Sequence, residues 1–304
     1  MKVFCPICNN KMILFTKNND IQKRNDIKIY SAYECTNCNI LFQYPFWKPE
    51  ETADFYQNNY YAHTDNSKLP RSLKILDFYL QNNLSSSLLS PFLRKKLFPF
   101  FDGIQKSKNV LDIGCGKGSF LDLMKKYNKK TYGLEPSDQA KAIATSKGHT
   151  MIDKKFFYAS GNALKFDLIT MFQVAEHLSV QEIIDENIFS AMYNSLAPGG
   201  QLVIETPSYE SDYAKKFKSD WRALEMPRHL VIFSPKSLSK ILTEKGFTTT
   251  VYTRVSPVDV RESFKLKYKD KSIKNKILKF LTLCKIALFQ KKNSSLLTVV
   301  ATKN

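Results

Sequence analysis

The chain has 304 residues, of which 43% are hydrophobic and 13% aromatic, so it can bury the core of one large or two modest domains. Its start carries no apolar leader and no stretch of about 18 apolar residues occurs, so we expect a cytoplasmic protein without a transmembrane helix. The net charge of +18 would suit an acidic partner such as nucleic acid, but half of the excess lies between residues 261 and 292, which weakens that interpretation.

Two pairs of cysteines open the chain, Cys5-Pro-Ile-Cys8 and Cys35-Thr-Asn-Cys38, with 26 residues between the pairs. Each pair places two thiolates on one side of a tight turn, and two such turns complete a tetrahedral site for Zn²⁺. A site closed by four cysteines leaves no position for water, so the zinc would be structural and not catalytic. The sequence therefore predicts a zinc-ribbon module over residues 1–47.

The rest of the chain divides into three parts. Residues 48–106 indicate a linker followed by helices, because apolar residues recur at helical spacing between positions 73 and 80. From residue 107 to the end, short apolar strands alternate with helices, which is typical of a parallel α/β sheet, and a basic insert interrupts it at 256–293. Strands are expected at NVLDI, TYGLE, FDLITMF, QLVIET, TTTVYTRV and SLLTVVAT, and helices near Ser119–Tyr127, Asp138–Lys147, Val180–Leu196 and Pro235–Lys245.

A glycine-rich loop follows the first of these strands. Its spacing, Gly114-x-Gly116-x-Gly118, differs from the G-x-G-x-x-G loop that seats a pyrophosphate, and it suits a ligand without phosphates. Asp112, at the strand end, could hold the ammonium group of an amino acid. Glu135, at the end of the next strand, could accept both hydroxyls of a ribose.

The motifs VLDIGCGKGSF, Glu135, FDLITMFQVAEHL and LAPGGQLVIETP, in this order, resemble class I S-adenosylmethionine-dependent methyltransferases over roughly residues 108–250. The resemblance implies an α/β fold with a Rossmann-like class I methyltransferase sheet, helices on both faces, and S-adenosylmethionine as cofactor. A zinc ribbon ahead of the methyltransferase domain also occurs in this family. The adenine contact stays open between Asp153, Asn162 and their neighbours. The cofactor-binding residues implied by the resemblance are Asp112, Gly114, Cys115, Gly116, Gly118, Glu135, Phe172 and Gln173.

Two histidines are candidate general bases toward the methyl acceptor. His229 lies between the fifth strand and the next helix, a region that covers the acceptor in this family, and His177 follows the fourth strand. We expect His229 to be the base and His177 the alternative or a support of the cofactor loop. His63 and His149 are expected at the surface, and Cys115 in packing. Further candidate acceptor contacts are Tyr60, Tyr61, Trp221, Arg222 and Arg228.

The basic insert contains an amphipathic pattern over residues 271–289, within a stretch where eleven basic residues stand against two acidic ones. Such a helix could lie on an anionic membrane, and a lipid-linked sugar would then be a natural acceptor. A helix packed on the domain or at a dimer contact is the other interpretation.

The sequence thus predicts methyl transfer to a small-molecule acceptor, with the oxygen of a sugar or sugar-derived intermediate of surface-polysaccharide or natural-product biosynthesis as the preferred acceptor. The alternatives are N- or C-methylation and a quinone-type ring acceptor. Another class of function would be nucleic-acid binding through the zinc ribbon and the basic surface. A degenerate, non-catalytic methyltransferase is a third alternative, which the intact glycine loop and Glu135 disfavour.

Overall fold

A computed structural model describes residues 2–20, 28–52, 71–81, 98–159, 164–268, 281 and 295–304. The predictions for Tyr60, Tyr61, His63, Asn162 and most of the amphipathic segment 271–289 lie outside the described residues.

The described residues form two sheets. The strands are β1 (Ile13–Asn18), β2 (Tyr30–Cys35), β3 (Ile40–Tyr44), β4 (Asn109–Ile113), β5 (Lys130–Leu134), β6 (Thr150–Met151), β7 (Phe166–Phe172), β8 (Leu196–Pro207), β9 (Val231–Phe233), β10 (Phe247–Arg254) and β11 (Leu296–Lys303). The helices are α1 (Pro49–Thr52), α2 (Arg71–Gln81), α3 (Phe101–Lys106), α4 (Ser119–Lys126), α5 (Asp138–Ser146), α6 (Lys154–Ala159), α7 (Val180–Ile184), α8 (Ile188–Ser195), α9 (Asp212–Phe217), α10 (Pro235–Glu244) and α11 (Pro257–Lys267). Short 3₁₀ turns lie at Ala175–His177, Lys218–Asp220 and Arg222–Leu224.

The larger sheet has the order β10-β11-β8-β7-β4-β5-β6. Strands β4 to β8 run parallel, and β11 is antiparallel to both β8 and β10. This confirms the predicted α/β class and the Rossmann-like methyltransferase sheet. The order of the parallel strands reverses between β4 and β7, and in such sheets ligands bind beyond the carboxyl ends of the strands at that point.

The smaller sheet joins the cysteine-rich segment to the rest of the chain. β1, β2 and β3 form an antiparallel meander, and β3 pairs with β9, with Ile40 opposite Phe233. Cys35 and Phe42 belong to the same buried cluster as Leu111 and Ile204 of the large sheet. The described part of residues 2–47 therefore shares a core with the α/β domain. The proposed domain boundaries stay a prediction.

Serine side chains cap the starts of several described helices. Helix α10 begins as expected, because the Ser234 hydroxyl accepts a hydrogen bond from Ser237 N and Pro235 occupies the first turn. The single helix expected over Val180–Leu196 is wrong: Asn187 adopts the left-handed conformation (φ 51°) and separates α7 from α8. Within the described residues, we find no helix with the length and apolarity that a bilayer span requires.

Candidate active site

The glycine loop lies at the carboxyl end of β4, against the turn that follows β7. Gly114 has φ 72°, and a Cβ atom built there would lie 2.3 Å from Cγ2 of Val174. Gly116 also has a positive φ, of 52°, but a Cβ there would meet nothing within 4 Å. Glycine at 114 therefore permits close packing, whereas the backbone at 116 borders open space that a ligand can approach.

We expect Gly114→Ala to destabilise the protein more than Gly199→Ala does. Both glycines have nearly the same positive φ, 72° and 73°, but a Cβ at 199 meets no atom within 4 Å. Gly199→Ala should cost about 1–2 kcal/mol from backbone strain alone. Gly114→Ala adds overpacking against a stiff β-branched side chain, on the order of 1–3 kcal/mol more. Chemical denaturation of both variants measures the difference, and equal losses would contradict the close packing of the loop.

Asp112 is a buried carboxyl group at the end of β4. The Thr170 hydroxyl, on the neighbouring strand β7, donates a hydrogen bond of 2.7 Å to its Oδ1. Burial raises the pKa of Asp112 to about 7. A cation placed beside this carboxylate would offset the cost of burying its charge.

Glu135 connects the glycine loop to the start of helix α5. Its Oε2 accepts a hydrogen bond of 2.9 Å from Gly116 N, and its Oε1 accepts one of 2.9 Å from Ser137 N. Each carboxylate oxygen has a second lone pair for another donor. The half-buried carboxylate therefore has a fixed orientation beside the open space at Gly116.

The remaining predicted cofactor residues surround this loop. The Cys115 thiol is buried and its pKa is raised by burial, which fits packing and not nucleophilic chemistry. Phe172 is half-buried between Phe100 and Phe120, at centroid distances of 5.4 and 5.3 Å. Gln173 has φ 57°, is exposed, and donates its backbone N–H to Glu205 O at 2.7 Å.

His177 and His229 lie against each other, with ring centroids 4.8 Å apart and an interplanar angle of 80°. His177 Nδ1 lies 3.0 Å from Arg228 O, and His229 Nδ1 lies 2.7 Å from Ala223 O. A carbonyl only accepts hydrogen bonds, so each Nδ1 carries the proton and each Nε2 the lone pair. Burial, followed by the neighbouring His177, lowers the pKa of His229 to about 3.

Glu176 completes this group and was not among the predicted site residues. One ligand atom from each of Glu176, His177 and His229 lies within 4.8 Å of the others. Thr206 Oγ1 donates to Glu176 Oε2 at 2.9 Å, and burial raises the pKa of Glu176 to about 8. Its position next to the candidate base His177 was the one sequence feature that could have indicated a role for it. The distant partner His229 could only be found from the fold.

The structure corrects several predicted roles. Trp221 and Arg228 are each only 1% exposed, so neither presents its side chain to an acceptor. Arg228 forms a buried ion pair with Asp20 and a second one with Glu225 at 3.3 Å. Those contacts stabilise the junction between the cysteine-rich segment and the His229 loop.

Arg222, one of the candidate acceptor contacts, is half-buried and pairs with Glu225, and its role at the acceptor stays a prediction. The position expected for His149 is wrong. His149 is buried and not at the surface: its ring joins Thr131 Oγ1 at 2.9 Å to Asp122 Oδ1 at 3.0 Å, beneath Gly118.

The four paired cysteines meet as predicted. One sulfur from each of Cys5, Cys8, Cys35 and Cys38 lies within 4.8 Å of the others, and the Cys8 and Cys35 sulfurs are 3.5 Å apart. That separation is close to the roughly 3.8 Å edge of a tetrahedron whose metal–sulfur bonds are about 2.3 Å. The backbone N–H of Cys38 points to the Cys35 sulfur at 3.4 Å. Among the described cysteines none forms a disulfide.

Comparison with known proteins identifies the family of this chain. The methyltransferase domain family matches residues 86–251, more than half of the chain, and the chain belongs to that family. The matched range contains the glycine loop, Asp112 and Glu135.

Individual relatives match over parts of their length. An uncharacterized methyltransferase of Anoxybacillus flavithermus is 30% identical over 158 residues, which cover 48% of this chain and 73% of that protein. The human mitochondrial ubiquinone biosynthesis O-methyltransferase is 27% identical over 139 residues, 40% of this chain and 36% of that protein. The chain spans about half the length of the curated relatives it matches. A crystal structure of a SAM dependent methyltransferase from Archaeoglobus fulgidus aligns over 74% of this chain and 99% of its own, with 18% identity and a TM-score of 0.48.

Proposed function

We propose that this protein transfers the methyl group of S-adenosylmethionine to an oxygen atom of a small-molecule acceptor. The observation that carries the proposal is the arrangement of Asp112, the loop Gly114–Gly118 and Glu135 around the open space at Gly116. S-adenosylmethionine supplies an electrophilic methyl group on a sulfonium. In the transfer, the acceptor oxygen forms a bond to the methyl carbon, the carbon–sulfur bond breaks with its electron pair going to sulfur, and the acceptor proton is released.

The residues of the loop suit the parts of this cofactor. The Asp112 carboxylate would bind the ammonium of the methionine portion, and Glu135 would accept hydrogen bonds from the ribose hydroxyls. Both acids lie at the carboxyl ends of adjacent parallel strands, β4 and β5, so one ligand can contact both. Phe172 and Gln173 would flank the ligand from the end of β7. Asp153, at the start of the segment after β6, remains a candidate for the adenine contact.

The affinity for S-adenosylmethionine should fall by roughly tenfold when the pH is lowered from 7.5 to 5.5. Because the pKa of Asp112 is raised to about 7, the carboxyl group becomes protonated over this range and loses its attraction for the ammonium. Calorimetric titration at both pH values measures the effect. In Asp112→Asn, which can still accept from Thr170, binding should be weaker and nearly independent of pH.

Protonation of Asp112 does not itself favour unfolding. A buried acid with a raised pKa binds its proton more tightly when folded, so this group stabilises the ligand-free protein as the pH falls below 7. A pH dependence that persists unchanged in Asp112→Asn would remove Asp112 from the site.

We also propose that Cys5, Cys8, Cys35 and Cys38 hold one structural Zn²⁺. Four sulfurs within 4.8 Å of one another, with a backbone N–H directed at one of them, fit a closed thiolate site. The bound zinc would stabilise the turn at each cysteine pair and hold β3 in place beside β9.

The acceptor would lie on the side of His177 and His229. The prediction that His229 removes the acceptor proton stays untested, but a group with a pKa of about 3 holds a proton weakly. We therefore propose that the histidine pair lies beside the acceptor oxygen and does not store its proton. The preferred acceptor is a sugar or sugar-derived hydroxyl. Relatives include N- as well as O-methyltransferases, so N- and C-methylation are outcomes of the same test.

The test is methyl transfer from radiolabelled S-adenosylmethionine to panels of nucleotide sugars, free amines, phenols and RNA, with S-adenosylhomocysteine measured as the second product. Transfer to sugars is expected. Transfer to RNA would favour the nucleic-acid alternative, and transfer to amines or phenols would replace the acceptor class. Vesicle sedimentation with anionic lipid tests the proposed membrane contact of residues 271–289.

A further inference from the structure

The group formed by Glu176, His177 and His229, which we call the Glu176 cluster, has the composition of a metal site. One carboxylate and two imidazoles converge, with one ligand atom from each within 4.8 Å of the other two. The two histidines come from separate loops, His177 from the 3₁₀ turn after β7 and His229 from the segment before β9. His229 is far from Glu176 and His177 in sequence, and the fold brings it next to them.

Both imidazoles are oriented as in metal sites. Each Nδ1–H donates to a backbone carbonyl, His177 to Arg228 O at 3.0 Å and His229 to Ala223 O at 2.7 Å. In metal sites the ring nitrogen that does not ligate is held in this way, which fixes the ring and directs the Nε2 lone pair at the ion. Two independent backbone contacts therefore select the tautomer that a ligand needs.

The carboxylate is held in a similar way. Glu176 is 1% exposed, and its Oε2 accepts from the Thr206 hydroxyl at 2.9 Å. Glu225 adds a second carboxylate nearby, with its Oε2 at 3.9 Å from His229 Nε2. A divalent cation would compensate the charge of a buried carboxylate here, which is costly to bury alone.

We propose that the Glu176 cluster binds one divalent transition-metal ion through Glu176, His177 and His229. Two histidines and one carboxylate provide three ligands and leave coordination positions open, in contrast to the closed set of four cysteines. The turn that carries His177 packs against the cofactor loop, since Val174 lies against Gly114. Where the acceptor is concerned, the inference rests on the proposed function: the ion would place positive charge beside the acceptor oxygen and orient it.

The experiment is a titration with Mn²⁺ of protein that holds one Zn²⁺ per chain, so that only the cysteine site is filled, followed by electron paramagnetic resonance of the free ion. Mn²⁺ favours oxygen and nitrogen ligands and competes poorly for thiolates, so the cysteine site does not interfere. We expect one Mn²⁺ per chain in the wild type, and at least tenfold weaker binding in Glu176→Gln and in His229→Ala. Thr206→Val, which removes only the hydrogen bond to Glu176, should weaken binding by roughly tenfold.

A matched control is His149→Gln, which alters another buried histidine that pairs with a carboxylate outside the cluster. It should bind Mn²⁺ as the wild type does. Glu176→Gln, His229→Ala and Thr206→Val are also titrated with S-adenosylmethionine, whose retained affinity shows that the fold is intact.

Absence of protein-bound Mn²⁺ in the wild type, or unchanged binding in both Glu176→Gln and His229→Ala, would overturn the inference. If S-adenosylmethionine binds while Mn²⁺ does not, only the metal inference fails. If Mn²⁺ binds at the cluster while S-adenosylmethionine does not, the proposed methyl transfer fails and the metal site stands.

Discussion

Glu135→Ala is expected to weaken the binding of S-adenosylmethionine by at least about 100-fold. The substitution removes the proposed charged acceptor of the two ribose hydroxyls, and hydrogen bonds to charged groups contribute about 1.5–3 kcal/mol each. It also removes the acceptor for the N–H groups of Gly116 and Ser137. These two hydrogen bonds hold the glycine loop next to helix α5, so the loop would lose its fixed position. Isothermal titration calorimetry measures the affinity directly.

The matched control is Asp138→Ala, which removes an exposed carboxylate three residues further along, in the first turn of α5. Its affinity should stay close to that of the wild type. If Glu135→Ala keeps the wild-type affinity while its thermal unfolding is unchanged, Glu135 does not contact the ribose.

Cys35→Ser is expected to release the zinc and to abolish ordered packing of residues 1–47. Cys35 is completely buried, and its sulfur lies 3.5 Å from that of Cys8. Structural zinc sites of this type contribute on the order of 10 kcal/mol to the folding of small modules. Metal analysis should find about one zinc per chain in the wild type and none in the variant.

The same substitution should lower turnover while S-adenosylmethionine still binds. Strand β3 pairs with β9, which begins two residues after His229, and Asp20 pairs with Arg228 next to it. The cofactor loop instead lies at the ends of β4 and β5, on the larger sheet.

Cys115→Ala is the control for Cys35→Ser, since Cys115 is a buried cysteine outside the cluster. It should keep its zinc. A wild-type protein that lacks metal yet has an ordered amino-terminal segment would contradict the proposed zinc site.

Several strands and one helix start could be predicted from short stretches of sequence. The strands β4, β7 and β11 and the start of helix α10 follow from apolar runs, from glycine and from the Ser234–Pro235 cap. The cysteine cluster followed from spacing alone. These features are encoded within a few residues of one another, so one sequence suffices to find them.

Long-range pairing explains what the sequence did not show. Strand β9 has only three residues, and nothing in Val231–Phe233 indicates that it pairs with Ile40–Phe42. Arg228 reads as a surface anion binder until Asp20, some two hundred residues away in sequence, is found beside it. The Glu176 cluster is of the same kind, since His177 and His229 are brought together by the turn after β7 and the loop before β9.

The central claim is tested most directly by calorimetric titration of the wild-type protein with S-adenosylmethionine at pH 7.5, with NAD as the comparison ligand. The glycine spacing, the proposed ammonium site at Asp112 and the proposed ribose site at Glu135 predict one binding site for S-adenosylmethionine and none for the dinucleotide. Failure of the folded protein to bind S-adenosylmethionine, or tighter binding of NAD, would contradict the assignment of this loop.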